Sequence, residues 1–184
     1  SILVINIVTG VIEREIDFTN ICKRESNDII GLISLSNFNC REFNLYLFSL
    51  LSYVEKELAN LIELGEDKAM EYLDKYSTKD EAKDQLEGIK KRINGDRDKK
   101  IENDYKSYLY IPHLIHLIEV ERKYVKLGYK NAEDFRKGTK ILKDLRNNIA
   151  HPVRSIVRNF KDLKEVEIGM NKMYELKFKL ETIA

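Results

Sequence analysis

The stretch Leu145-Arg-Asn-Asn-Ile-Ala-His-Pro152 sets an arginine, two amides and a histidine within six residues, Arg146 to His151. Those groups suit chemistry on a phosphodiester. Arg146 is permanently charged, and its planar fork of N–H donors matches two phosphate oxygens. His151 can give or take a proton near neutral pH. At a helix C-terminus the backbone carbonyls favour imidazolium, so a proton donor needs no carboxylate partner there. Asn147 could hold the scissile phosphate or the arginine in place. Five residues of ideal helix advance about 7.5 Å and turn about 140°. Arg146 and His151 therefore share no face unless Pro152 turns the histidine out of the helix, and a twofold-related subunit completes such a site more readily than one subunit alone. The structural alternative is a capped helix end, with His151 on a backbone carbonyl and Arg146 on a carboxylate such as Asp144 or one on a neighbouring helix.

The charge around this stretch is lopsided. The chain carries 32 Lys/Arg against 31 Asp/Glu, a net charge of +1. Between Glu121 and Lys164 there are 13 Lys/Arg and 5 Asp/Glu, a local +8 that leaves −7 elsewhere. A basic stretch of this kind is an electrostatic footprint for a polyanion; its bland counterpart is an ordinary lysine-rich helical surface. Arg154 and Arg158, i and i+4 if helix resumes after Pro152, present a basic edge near His151. With Lys143 they are the candidates for holding an RNA backbone. His113 and His116, three apart on a helix with Glu119 and Glu121 following, resemble half of a metal site. No third ligand is evident, so neither a metal nor a cofactor is assigned. Tyr105, Tyr108 and Tyr110 could stack on bases, or sit as amphipathic residues at the edge of a bundle.

The elements that must position these groups are mostly helices. Leu47, Leu50, Leu51, Val54, Leu58, Leu61 and Ile62 repeat at helical spacing, predicting one long helix from Asn39 to near Gly65. A short helix is expected over Asp67 to Tyr76. Ser77-Thr-Lys-Asp-Glu81 then offers overlapping capping boxes to an outer, mobile helix carrying Ala82, Leu86, Ile89 and Ile93, ended by Asn94-Gly95 and the charge cluster Asp96 to Glu102. Tyr108 to Leu127 reads as another helix, stopped by Gly128. Asn131 caps the next, with Phe135, Leu142, Leu145 and Ile149 on one face, until Pro152 ends it. A last helix from about Asn159 buries Leu163, Val166, Met170, Met173, Leu176 and Leu180. The fold class is mainly α, an antiparallel helical bundle over 39–184. Residues 1–38 differ: Ile2–Val8 and Val11–Ile16 are β-branched runs across Thr9-Gly10, and Asp28–Leu35 is a third short apolar run, together a small β appendage.

At 184 residues, 43% hydrophobic and 34% charged, the chain is of a size and composition to bury a real core. No apolar run reaches the ~20 residues that a membrane helix needs. The opening Ser1-Ile-Leu-Val-Ile-Asn has no initiator Met and no basic region, so it reads as a cut within a longer chain rather than a signal peptide. Cys22 and Cys40 form no paired motif, and reduced thiols in the cytoplasm are the expected state.

Arg146-Asn-Asn-Ile-Ala-His151 resembles the Arg-x(4–6)-His signature of HEPN domains, in which a polar residue commonly follows the arginine. The helical span from about residue 40 to 184, with the motif near the end of the penultimate long helix, is similar to that family's architecture. The resemblance implies a homodimer that joins two copies of the motif in one cleft. It also implies a metal-independent endoribonuclease of the defence or stress type, in which the ribose 2′-hydroxyl attacks the adjacent phosphate. Arg146 would stabilise the phosphorane charge, Asn147 would position it and His151 would act in proton transfer. An antitoxin is a further partner implied. Some toxin members carry a tyrosine two residues after the histidine as a modification target; Val153 stands there in this chain, so adenylylation at that position is not expected. Asn27-Asp-Ile-Ile-Gly-Leu-Ile-Ser-Leu-Ser-Asn-Phe38 looks like the end of a CBS motif, which would make residues 1–38 the tail of a nucleotide-sensing domain. The alternatives are a catalytically silent HEPN-like bundle that binds nucleotide, RNA or protein beside such a sensor, and a purely structural helical domain.

Overall fold

Leu47, Leu50, Leu51, Val54 and Leu58 recur at three- and four-residue intervals and are all buried on one face of α1 (Arg41–Asn60). The computed structural model describes residues 2–5, 12–16, 35–77, 80–149 and 155–183. Over these the chain is mainly α: α2 (Glu66–Tyr76), α3 (Asp80–Asp98), α4 (Ile111–Val120), α5 (Ala132–Ile149) and α6 (Phe160–Ile183) follow α1. Short 3-10 turns cover Leu35–Asn39, Tyr105–Tyr108 and Lys123–Val125.

Helices α1 and α6 run side by side in the same direction. Their starts are clasped by Asn39, whose Nδ2 donates to the Val157 carbonyl at 2.6 Å while the Val157 N–H donates to Asn39 Oδ1 at 2.9 Å. Towards their far ends the Tyr53 hydroxyl donates to Glu181 at 3.2 Å, and Lys177 lies over the Tyr53 ring at 5.3 Å. Helix α5 runs antiparallel to this pair, and its packing on α6 is close. A Cβ added at Gly169 would lie 2.8 Å from Leu145 Cδ2, so the glycine lets the two helices approach where α5 nears its end. Leu145 is 3% exposed there, and its burial is worth about 1.5–3 kcal/mol. At the other end of α5 the fully buried Phe135 meets Tyr129 edge to face, ring centroids 5.2 Å apart. This packing fixes how the C-terminal turn of α5 is presented.

Several boundaries differ from expectation. The first helix starts at Arg41 and ends at Asn60, within the span foreseen. Helix α3 runs through Asn94-Gly95 and ends at Asp98, inside the charge cluster expected to end it, before Lys100 turns at φ 58°. A lone glycine costs a helix only about 1 kcal/mol, and Leu86, Ile89 and Ile93 are buried along the same face. The single helix expected over 108–127 is three pieces. Tyr110 is the N-cap of α4 with Pro112 in its first turn, and Arg122, at φ 57°, breaks the chain before Lys123–Val125. Gly128 ends that run at φ 75°, a conformation natural to glycine.

Strands β1 (Ile2–Ile5) and β2 (Ile12–Ile16) pair antiparallel, Ile2 opposite Ile16, within the two β-branched runs. Residues 27–34 of the CBS-like strip lie outside the described residues, and its end is the 3-10 turn Leu35–Asn39. Cys22 is likewise outside them, while Cys40 is exposed and free. Among the described residues no helix is long and apolar enough to cross a membrane.

Candidate functional site

Helix α5 is opened by Asn131, whose Oδ1 accepts the Asp134 N–H at 2.8 Å. Phe135, Thr139, Leu142, Leu145 and Ile149 then face the core, which puts Arg146 on the flank turned towards α4. Its guanidinium carbon lies 4.7 Å from the centroid of the Tyr110 ring. A second guanidinium reaches the same ring from α3: Arg92 is 5.5 Å from the centroid, and its Nη2 donates to the Tyr110 hydroxyl at 2.8 Å. A cation–π contact occupies the face of a guanidinium and leaves its N–H edge available. No N–H of Arg146 donates to another described residue, and no carboxylate pairs with it there. Two arginines on one phenol bring two permanent positive charges together, an arrangement that can receive an anion.

Glu55 of α1 is the acidic neighbour. Burial pushes its carboxyl up from the ordinary value, and the charge of Arg146 pulls the other way. Glu55, Tyr110 and Arg92 are not joined to Arg146 by the linear reading, which names Tyr110 only as a base-stacking or bundle-edge residue. They stand 91, 36 and 54 positions before Arg146, so no local spacing could join them to it. The available signal was Pro112, which marks a helix start and makes Tyr110 a capping position.

Of the two carboxylate partners weighed for Arg146, the acidic neighbour is Glu55 on the neighbouring helix α1 rather than Asp144. With Leu145, Asn148, Arg158 and Asp162, Asp144 lines a cleft of about 340 Å³ between α5 and α6. Arg158 is not a free cation, because its Nε and Nη2 meet Asp162 at 2.8 and 3.3 Å and its backbone N–H donates to the same carboxylate at 3.0 Å. The Arg158 contacts hold the Asp162 carboxyl below its ordinary range. Helix has not resumed at Arg158; α6 begins at Phe160, capped by Asn159 Oδ1 on the Asp162 N–H at 3.0 Å. Asn147 and Lys143 are exposed, one turn apart on the outer face of α5. His151 and Arg154 lie outside the described residues.

The basic stretch is partly neutralised. Lys123, Arg136, Lys137, Arg158 and Lys161 each pair with a carboxylate, while Lys140 and Lys143 have no such partner among the described residues. Tyr105 is buried, its hydroxyl donating to the Leu64 carbonyl at 2.7 Å, and burial pushes it up to about 12. Tyr108 donates to Asp96 at 2.6 Å. Of the three tyrosines, only Tyr110 belongs to the Arg146 site.

The two histidines of α4 are engaged separately. His113 is 4% exposed, and its Nδ1 accepts the Tyr110 N–H at 3.3 Å. Burial, reinforced by His116, pushes its pKa from 6.5 down to about 4. His116 stacks on Tyr76, ring centroids 4.1 Å apart. Among the described residues no group of three or more His, Cys, Asp or Glu could hold a metal ion.

The state of His113 makes stability depend on pH. The unfolded histidine binds a proton below about 6.5 while the folded one resists until about 4, so stability falls as pH drops through that window and levels off beneath it. The contribution is about 3 kcal/mol. Denaturant unfolding at pH 7 and pH 4.5 should show His113→Gln losing less stability than the wild type between the two. An identical loss in both would mean that this ring is not the titrating group.

No family model, curated protein or solved structure matches this chain.

Proposed function

We propose that this protein is a metal-independent endoribonuclease of the HEPN type that cleaves single-stranded RNA as a homodimer. The observation that carries the reading is Arg146, seated on Tyr110 beside Arg92, with none of its N–H groups donating to another described residue. The ribose 2′-hydroxyl attacks the adjacent phosphorus, a P–O2′ bond forms, and the P–O5′ bond breaks to leave a 2′,3′-cyclic phosphate and a 5′-hydroxyl. Arg146 binds the charge that builds on the phosphoryl oxygens, Asn147 orients the group, and His151 takes part in the proton transfers. Lys143 and Arg154 supply attraction for the strand, whereas Arg158 serves chiefly to pin Asp162 at the start of α6. The twofold partner follows from the angular offset between Arg146 and His151 on a helix. A cytoplasmic defence or stress role, an antitoxin and a nucleotide-sensing neighbour are supported by the resemblance of the Arg146–His151 and Asn27–Phe38 segments to their families.

The test is incubation of the wild-type protein with end-labelled single-stranded RNA in EDTA. Products ending in 2′,3′-cyclic phosphate are expected, with cleavage absent at a position carrying a 2′-deoxyribose. Salt-sensitive binding with no products would assign the chain to the silent binding class instead. A strict requirement for added metal would also overturn the mechanism.

A further inference from the structure

Tyr76 closes α2 with its ring stacked on His116 at 4.1 Å and 18°, yet the tyrosine remains 49% exposed. One face of the phenol is backed by the imidazole, and the ring still presents itself to solvent. An aromatic ring braced on one side and open on the other is a platform for a flat, unsaturated group.

Its surroundings say which group. Arg136 of α5 is close enough to His116 to repel its protonated form, and it pairs with Glu119 at 3.1 Å. From Arg136 the positions Lys140, Lys143 and Asn147 follow at intervals of four, three and four, one stripe along the outer face of α5. Lys140 and Lys143 lack a carboxylate partner among the described residues; Asp144, one turn on from Lys140, borders the row and lines the α6 cleft. The stripe leads from the Tyr76–His116 stack to the turn that holds Arg146. Ten residues of helix separate Arg136 from Arg146, about 15 Å, which is the reach of about four stacked nucleotides at 3.4 Å each.

We infer that Tyr76, braced by His116, is a base-stacking subsite for single-stranded RNA, joined to the Arg146 site by the phosphate-binding row Lys140 and Lys143. This rests on the nucleic-acid reading above, but not on cleavage. The subsite is tolerant of sequence, because every base offers a π-face.

The experiment measures fluorescence anisotropy with fully 2′-O-methylated oligouridylates of 3 and 12 nucleotides, which cannot be cleaved by 2′-hydroxyl attack. The wild type should bind the 12-mer much more tightly than the 3-mer. Tyr76→Leu should weaken 12-mer binding about tenfold, whereas Tyr76→Trp retains it. Lys140→Gln with Lys143→Gln should reduce the salt slope of 12-mer binding by about 1.4, two phosphate contacts at about 0.7 each. Unchanged 12-mer affinity in Tyr76→Leu, or equal losses in Leu and Trp variants that unfold like the wild type, would overturn the subsite. Binding as described by a protein that cuts no RNA would uphold it while removing the nuclease assignment.

Discussion

Arg146→Ala should slow cleavage of single-stranded RNA by about 10²–10³-fold, the loss that follows removal of one preorganised donor from a developing oxyanion. The argument begins with packing. The guanidinium carbon sits 4.7 Å from the Tyr110 ring centroid, a contact that restrains the side chain before RNA arrives and lowers the freedom to be lost on binding. Arg92 bonds the same phenol and keeps the ring in place. The loss should appear mainly in kcat, because the charge on the phosphoryl oxygens grows in the transition state. Arg146→Lys should not restore activity, since an ammonium offers neither the planar fork nor the same stacking face. The fold should survive: the substitution forfeits a cation–π contact of about 0.5–1 kcal/mol at a half-exposed position. Thermal unfolding beside the kinetics separates the two effects, and a rate within twofold of wild type would remove Arg146 from the chemistry.

The bundle was legible because its helices obey one period. Every apolar position named for α6, from Leu163 to Leu180, is buried, and Asn131 and Asn159 cap α5 and α6 through their side-chain oxygens. Local rules faltered where two signals competed. Gly95 reads as the first part of a stop, yet the buried face of α3 carries the helix through it into the charge cluster, where it ends at Asp98. The run from Tyr108 to Leu127 has helical periodicity, but Pro112 and the left-handed Arg122 divide it. The parallel pairing of α1 and α6 depends on the Asn39–Val157 clasp, 118 residues apart, which no window along the chain can contain.

The candidate site was legible only at its centre. Arg146 stands out by its neighbours in sequence, whereas the groups that hold and tune it come from three other helix segments. Charge counting overstated the basic footprint, because Arg158 is spent on Asp162 and Arg136 on Glu119. Composition counts charges and cannot tell which are already neutralised. Spacing places His113 and His116 near one another without a third ligand, and in the fold burial keeps one neutral while stacking occupies the other.

The central claim is that an arginine and a histidine act on one phosphate, and His151→Ala tests it most directly. An imidazole that moves protons at the reacting oxygens accelerates such a step by about 10²–10⁴-fold, which is the loss expected when it is removed. Wild type and His151→Ala should therefore be compared side by side in EDTA, on the same labelled RNA and with oligomeric state measured in parallel. The account predicts that the wild type yields cyclic-phosphate products while the variant, folded and binding RNA as tightly, yields almost none. Equal cleavage rates for the two proteins would contradict it.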